Sequence, residues 1–247
     1  MRRLFCDKIE LGGDQMRIDK LLSHLKFGSR KEIHQAIKAN KVKVDGVIVD
    51  SKDLDVEPKS QEIYFNEEKI VYFERVVLMF YKPKGVISAH RDKQYPTVLS
   101  YIKDPFNRYD LNIAGRLDVD AEGLIILTDD GNLLHEIISP KNSIYKTYHV
   151  KTEKPIDNPE ELLKPRVIKD GRDRLYTPKT PIIVAHDKDG VTIKISEGKF
   201  HQVKRMFEAI GHRVIRLKRI AIHDLKLDVG VGEYRQLNEQ EINMLRH

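Results

Sequence analysis

The sequence predicts an α+β chain in two parts, a small helical and hairpin module followed by a larger, mixed but mainly antiparallel sheet with flanking helices. Three observations carry that expectation. Apolar residues first recur at helical spacing, at Ile18, Leu21, Leu22 and Leu25. Strand-like runs then dominate, at 76–81, 124–127, 144–150, 182–185 and 191–195, with helical patterns only at 132–138, 201–210 and 239–245. Finally, 247 residues suffice for a full-sized core with a small module beside it.

Residues 1–15 read differently from the rest of the chain. Gly12-Gly13-Asp14-Gln15 precede Met16-Arg17-Ile18-Asp19-Lys20, which looks like a natural protein start, and Gly-Gly is what a purine-rich ribosome-binding site encodes in frame. Met16 is therefore expected to be the initiator and 1–15 a leader, which the intact mass of the native protein tests. Phe27-Gly28 closes the first helix. Ser29 and Glu32 form an S-x-x-E capping box opening a second, with Ile33, Ala36 and Ile37 on one face. Val42 to Val49 is a hairpin turned by Asp45-Gly46. Two short basic helices and a hairpin over 16–60 resemble the S-four module, a small RNA-binding domain. That resemblance assigns Lys26, Arg30, Lys31, Lys38 and Lys41 to phosphates, where charge adds affinity without reading sequence. The acidic, Pro58-containing stretch 50–74 is expected to end that module and lead onward, with the linker at 61–74 and the larger domain at 75–247.

The chain carries 44 Lys and Arg against 38 Asp and Glu, a net charge of +6. Its distribution says more than its sum. From Arg17 to Lys43 eight basic residues face two acids; from Lys199 to Arg219 seven face one. Two separated basic patches favour a polyanion, nucleic acid being the commonest. A single cysteine, Cys6, excludes internal disulfides and cysteine metal clusters, and no apolar run approaches the ~20 residues of a membrane span. A monomer in the cytoplasm is expected.

The chemistry centres on Ala114-Gly115-Arg116-Leu117-Asp118-Val119-Asp120, followed by Ala121-Glu122-Gly123 and the apolar run Leu124 to Leu127. Glycines and three acids describe a sharp loop feeding a buried strand, a common place for reactive groups. A lone loop aspartate is also a common turn or cap residue. The sequence lacks a phosphate loop, a G-x-G-x-x-G cofactor turn, a G-x-S-x-G elbow and any H-x-x-x-H pair. Methyl transfer, hydride transfer and ATP hydrolysis thus lose their usual signatures. What remains is chemistry on RNA by side chains alone, with no cofactor or metal.

Four segments together, K-P-x-G at Lys82 to Gly85, G-R-L-D-x-D-x-x-G at 115–123, K-x-Y at 146–148 and E-G-x-x-H-Q-V-K-R-M-F at 197–207, resemble bacterial pseudouridine synthases that place a catalytic domain after an S-four module. His201 to Met206 and the closing Gly232-Glu233-Tyr234-Arg235 resemble the branch acting on small-subunit ribosomal RNA. The resemblance makes Asp118 the nucleophile, Tyr148 the residue stacking on the target base, and Lys204 the cation that keeps Asp118 ionised, in a position where many relatives carry arginine. Arg205 is the fallback cation. Arg116 either fills the space vacated by the flipped base or pairs with Asp120 or Glu122. Leu217 is either the apolar wall against the uracil or an ordinary core leucine. Lys82, Lys84, Lys199, His201, Gln202, Arg213 and Arg216 complete the expected RNA contacts. The implied substrate is one uridine of small-subunit ribosomal RNA, naked or in an assembling particle. A large-subunit enzyme of the same family and a non-catalytic assembly factor are the alternatives.

Overall fold

The computed structural model describes residues 15–246, so the expected leader lies, apart from Gln15, outside the described residues. The chain divides into two units. One comprises the residues up to Glu74 together with Asp104–Tyr109, the other Arg75–Lys103 and the residues from Asp110 onward.

In the first unit, β1 (Met16–Arg17) leads into α1 (Ile18–His24), and α2 (Arg30–Lys38) comes next. The Ser29–Glu32 capping box forms as the sequence predicts: the Ser29 hydroxyl accepts from the Glu32 N–H and the Glu32 carboxylate from the Ser29 N–H. Ile18, Leu21, Leu22, Leu25 and Ile33 are wholly buried, which ties the two helices together through their apolar faces. β2 (Val42–Val44) and β3 (Val47–Ile48) pair through the expected turn. Asp45 and Gly46 both adopt positive φ, as a tight turn matched to strand twist requires. β4 (Asp55–Val56) pairs with β1. The expected linker over 61–74 is corrected here. Ile63–Phe65 form β5, antiparallel to β2, and Glu68–Lys69 form β6, so the stretch extends the small sheet. Ile63 is buried there, and its apolar contribution outweighs the acidic composition that suggested a tether.

The second unit is built on a nine-stranded sheet. In chain order its elements are β7 (Val77–Lys82), β8 (Asn112–Ala114), β9 (Glu122–Thr128), α3 (Gly131–Ile138) and β10 (Lys146–Thr152). A short ribbon of β11 (Ile168–Lys169) and β12 (Leu175–Tyr176) comes next, then β13 (Ile182–Asp187), β14 (Gly190–Ile195) and α4 (Gln202–Glu208). The chain ends with β15 (Val214–Ile222), β16 (Leu225–Lys226), β17 (Tyr234–Gln236) and α5 (Glu239–Asn243). The strand order is β13-β14-β10-β15-β9-β7-β17, with β16 beside β15 and β8 beside β9. Neighbours are antiparallel except β15 and β9, which run parallel in the middle of the sheet.

Every residue of β7 and β9 is buried. At roughly 2 kcal/mol per fully buried aliphatic side chain, Leu124 to Leu127 anchor β9 firmly. Leu124 and Ile126 join Val77 and Met79 in a core that includes Leu133 and Ile137 of α3 and Ile242 of α5. Among the described residues no helix is long and apolar enough to cross a membrane.

Candidate active site

β8 and β9 form a hairpin, Ala114 opposite Ile126, whose connecting loop is Gly115 to Ala121. That loop carries Asp118, and several independent contacts hold it. The Ser88 hydroxyl donates to the Leu117 carbonyl at 2.8 Å and accepts from its N–H at 3.0 Å. The Gly85 N–H reaches the Val119 carbonyl at 2.7 Å. The Lys82 ammonium donates to the Ala121 carbonyl at 2.6 Å. The K-P-x-G turn is thus a clamp on the aspartate loop.

Opposite the loop, α4 presents Lys204. Its ammonium lies 3.0 Å from Asp118 Oδ2 and 2.6 Å from Asp120 Oδ1. Burial alone would lower the pKa of Lys204, but its hydrogen bonds to Asp120 and Asp118 outweigh that and raise it. Burial likewise works against ionisation of Asp120, and the Lys204 bond overrides it, so its pKa falls. His201, at the head of α4, places Nε2 3.6 Å from Asp118 Oδ1. The carboxylate faces a cleft of about 780 Å³ lined by Arg116, Tyr148, Ile195, Lys199, Lys204 and Leu217, among others. Tyr148 and Leu217 are almost wholly buried, so they expose little beyond the surface that forms its wall.

Several expected site residues are placed elsewhere. Lys82, expected on RNA, is completely buried and spends its ammonium on the Ala121 and Pro83 carbonyls. Gln202, also expected on RNA, is buried; its amide donates to Glu197 and its carbonyl accepts from the Lys199 N–H, bracing the 197–202 turn. Arg216 pairs with Glu122 at 2.6 Å, and that carboxylate also accepts from the Tyr81 hydroxyl at 2.9 Å. The fallback cation, Arg205, points away from Asp118 and donates to the Lys169 carbonyl. Arg116 lies on the cleft wall, and both acids proposed as its partners are engaged by other cations, Asp120 by Lys204 and Glu122 by Arg216. The remaining cations are all exposed: Lys84, Lys199 and Arg213 in the second unit, and Lys26, Arg30, Lys31, Lys38 and Lys41 in the first. Lys26 donates to the Tyr109 carbonyl at 3.4 Å.

One site residue escapes sequence reasoning. Arg219 is almost wholly buried and holds three parts of the site together. Its Nε donates to the Leu124 carbonyl at 2.7 Å, its Nη2 to the Gly115 carbonyl at 2.8 Å, and its Nη1 lies 3.4 Å from the Tyr148 hydroxyl. The guanidinium thus bridges both legs of the β8–β9 hairpin and the cleft tyrosine. Arg216, Lys218 and Arg219 break the hydropathy of β15, which hides the strand; its β-branched residues Val214, Ile215, Ile220 and Ile222 were the available signal. Among the described residues no group of three or more His, Cys, Asp or Glu side chains is arranged to hold a metal ion.

Residues 76–209 match the RNA pseudouridylate synthase family, and residues 16–61 match the S4 domain. The chain belongs to the RNA pseudouridylate synthase family. It is 39% identical over 236 residues to an uncharacterized RNA pseudouridine synthase of Aquifex aeolicus, covering 94% of this chain and 96% of the relative. It is 37% identical over 234 residues to ribosomal small subunit pseudouridine synthase A of Haemophilus influenzae, covering 93% and 99%. A crystal structure of a pseudouridylate synthase superposes with a TM-score of 0.63 at 36% identity, covering 93% of this chain and 99% of the other.

Proposed function

We propose that this protein isomerises one uridine of small-subunit ribosomal RNA to pseudouridine, with Asp118 as the nucleophile. The observation that carries the reading is the Asp118 carboxylate, paired to Lys204 at 3.0 Å and facing a cleft bounded by Tyr148 and Leu217. The small-subunit target is supported by the Haemophilus influenzae relative, which is matched over nearly its whole length.

The reaction breaks the bond between N1 and C1′, turns the uracil, and joins C5 to C1′. N1 gains a proton and C5 loses one, so no redox partner or group donor is needed. A carboxylate can add to C1′ or to C6 and leave again, dividing one difficult step into easier ones. Lys204, with its ammonium 3.0 Å from Oδ2, holds the Asp118 carboxylate toward the cleft. Tyr148 packs on the uracil, with Arg219 fixing its hydroxyl, and Leu217 supplies the apolar wall. The target base must leave its stack at a cost of a few kcal/mol; Arg116, on the cleft wall, fills the space it vacates. Lys84, Lys199 and Arg213, with the five cations of the first unit, hold phosphates. Action as a monomer in the cytoplasm, where ribosomal RNA is made, is part of the same proposal.

The test is tritium release from RNA labelled at uridine C5, with small- and large-subunit transcripts or particles offered separately. Release from small-subunit RNA alone is expected. Release only from large-subunit RNA would move the target, and none from either would favour a binding factor. Asp118→Asn should abolish release while RNA affinity stays within a few-fold of wild type; near-normal turnover would remove Asp118 as nucleophile.

A further inference from the structure

The cleft holds an aromatic pair that the isomerisation does not use. Phe200 is 54% exposed on the cleft wall. The His201 ring stacks on it with centroids 3.7 Å apart and planes 18° from parallel. His201 in turn lies beside Asp118, with Nε2 3.6 Å from Oδ1. Carboxylate, imidazole and phenyl therefore form a series running outward from the reacting group.

This pair is held in place. His201 adopts a left-handed backbone, φ 53, at the head of α4, an uncommon conformation for a residue with a side chain. The Arg205 guanidinium lies 5.4 Å from the Phe200 ring centroid and is itself tethered to the Lys169 carbonyl. Gly171, between β11 and β12, passes so close that a methyl there would sit 2.9 Å from Phe200 Cβ. Scattered exposed apolar residues need no special account. An exposed ring that is pre-stacked, backed by a cation and fixed beside a nucleophile is a different case, because burial does not explain it.

We propose that Phe200 and His201 form a stacking subsite for an unpaired nucleobase next to the flipped uridine. When the target leaves its stack, its neighbour loses an aromatic face, and the phenyl–imidazole pair replaces it. Stacking tolerates any base because each has a π-face. Lys199, exposed beside the pair on the same cleft wall, suits an adjoining phosphate and so favours nucleic acid over an apolar peptide segment. The subsite rests on RNA being the substrate of the neighbouring cleft.

The experiment compares Phe200→Ala, Phe200→Leu and Phe200→Trp in tritium release from the small-subunit transcript. Alanine should raise KM about 5- to 100-fold, the range of lost base–aromatic stacking, with kcat within about threefold. Tryptophan should restore KM, and leucine, of similar bulk without a π-face, should not. Filter binding of the same transcript to Asp118→Asn, with and without Phe200→Ala, reads the subsite without turnover. The affinity ratio should be the same at low and high salt, because no phosphate contact is removed. A KM within twofold of wild type for Phe200→Ala, or full rescue by leucine, overturns the subsite. If wild type releases no tritium from any RNA, the assigned reaction fails, while the binding ratio still decides the subsite.

Discussion

Lys204 serves two carboxylates with one ammonium, and that is what the residue type is suited to. A lysine is a compact point charge with three donors, whereas arginine presents a planar fork matched to one carboxylate. Here Asp118 and Asp120 each take one donor, at 3.0 and 2.6 Å. Asp120 thus positions the cation and Asp118 faces the cleft. Removing the charge should matter in proportion. Lys204→Ala is expected to lower kcat for tritium release by about 100-fold or more, a loss typical of deleting one preorganised electrostatic partner. Arg205→Ala, whose guanidinium binds the Lys169 carbonyl, should lower kcat less than about fivefold. A larger loss at Arg205 would reassign the cation.

At the scale of elements, the site depends on where β15 meets β9. The first residues of β9 pair with β15 in parallel, Gly123 beside Arg219, while its last residues pair with β8. Strand β15 can approach only because residue 123 has no side chain: a methyl there would lie 2.2 Å from the Arg219 carbonyl oxygen, and its φ is +113. That approach delivers the Arg219 guanidinium to Gly115, Leu124 and Tyr148 together. Gly123→Ala must therefore push the two strands apart or distort the loop. With overpacking and disfavoured backbone each costing about 1–3 kcal/mol, stability should fall by at least about 2 kcal/mol. For a chain of this size that is a drop in Tm of several degrees, readable by calorimetry. An unchanged Tm would show that β15 can shift freely.

For the whole molecule, two lysines of the sheet unit give stability a characteristic pH dependence. Burial pulls Lys82 down to about 8 and Lys146 down to about 8, the nearby charge of Arg219 adding to the effect at both. The carboxylates of Asp118, Asp120 and Glu122 oppose it at Lys82 without cancelling it. Below about 8 both groups are charged in the folded and unfolded states, and the burial penalty is present in full. Between about 8 and the ordinary lysine value of 10.5 the unfolded chain binds more protons, so stability rises with pH. Above the usual tyrosine value of 10, Tyr81 and Tyr176, pushed up to about 12 chiefly by burial, contribute in the opposite sense. The window is thus about pH 8 to 9.5. Urea midpoints across it should rise for wild type and rise less for Lys146→Met; parallel slopes would contradict the assignment for Lys146.

Much of this was legible in the residues. Local signals behaved as expected where local physics decides: the Ser29–Glu32 box caps α2, and Asp45-Gly46 turns the β2–β3 hairpin. The apolar run from Leu124 is a fully buried strand, preceded by the Asp118 loop. Polar and charged residues were harder. Lys82 and Gln202 read as RNA contacts because composition cannot tell a solvated polar group from one bonded inside the protein, while Arg216 stays exposed but is engaged by Glu122. The same ambiguity made the acidic 61–74 stretch look like a tether and concealed β15.

Periodicity, turn chemistry and motif order along the chain are enough for the α+β class, the helical module, the aspartate loop and the set of residue types that marks the family. That Lys204 rather than Arg205 meets Asp118, and that Lys82 and Arg219 hold the loop, emerges from the packed fold. Those choices depend on which way a side chain leaves its helix or strand and which carbonyls a distant segment brings within about 3 Å, information that spacing in one dimension does not contain.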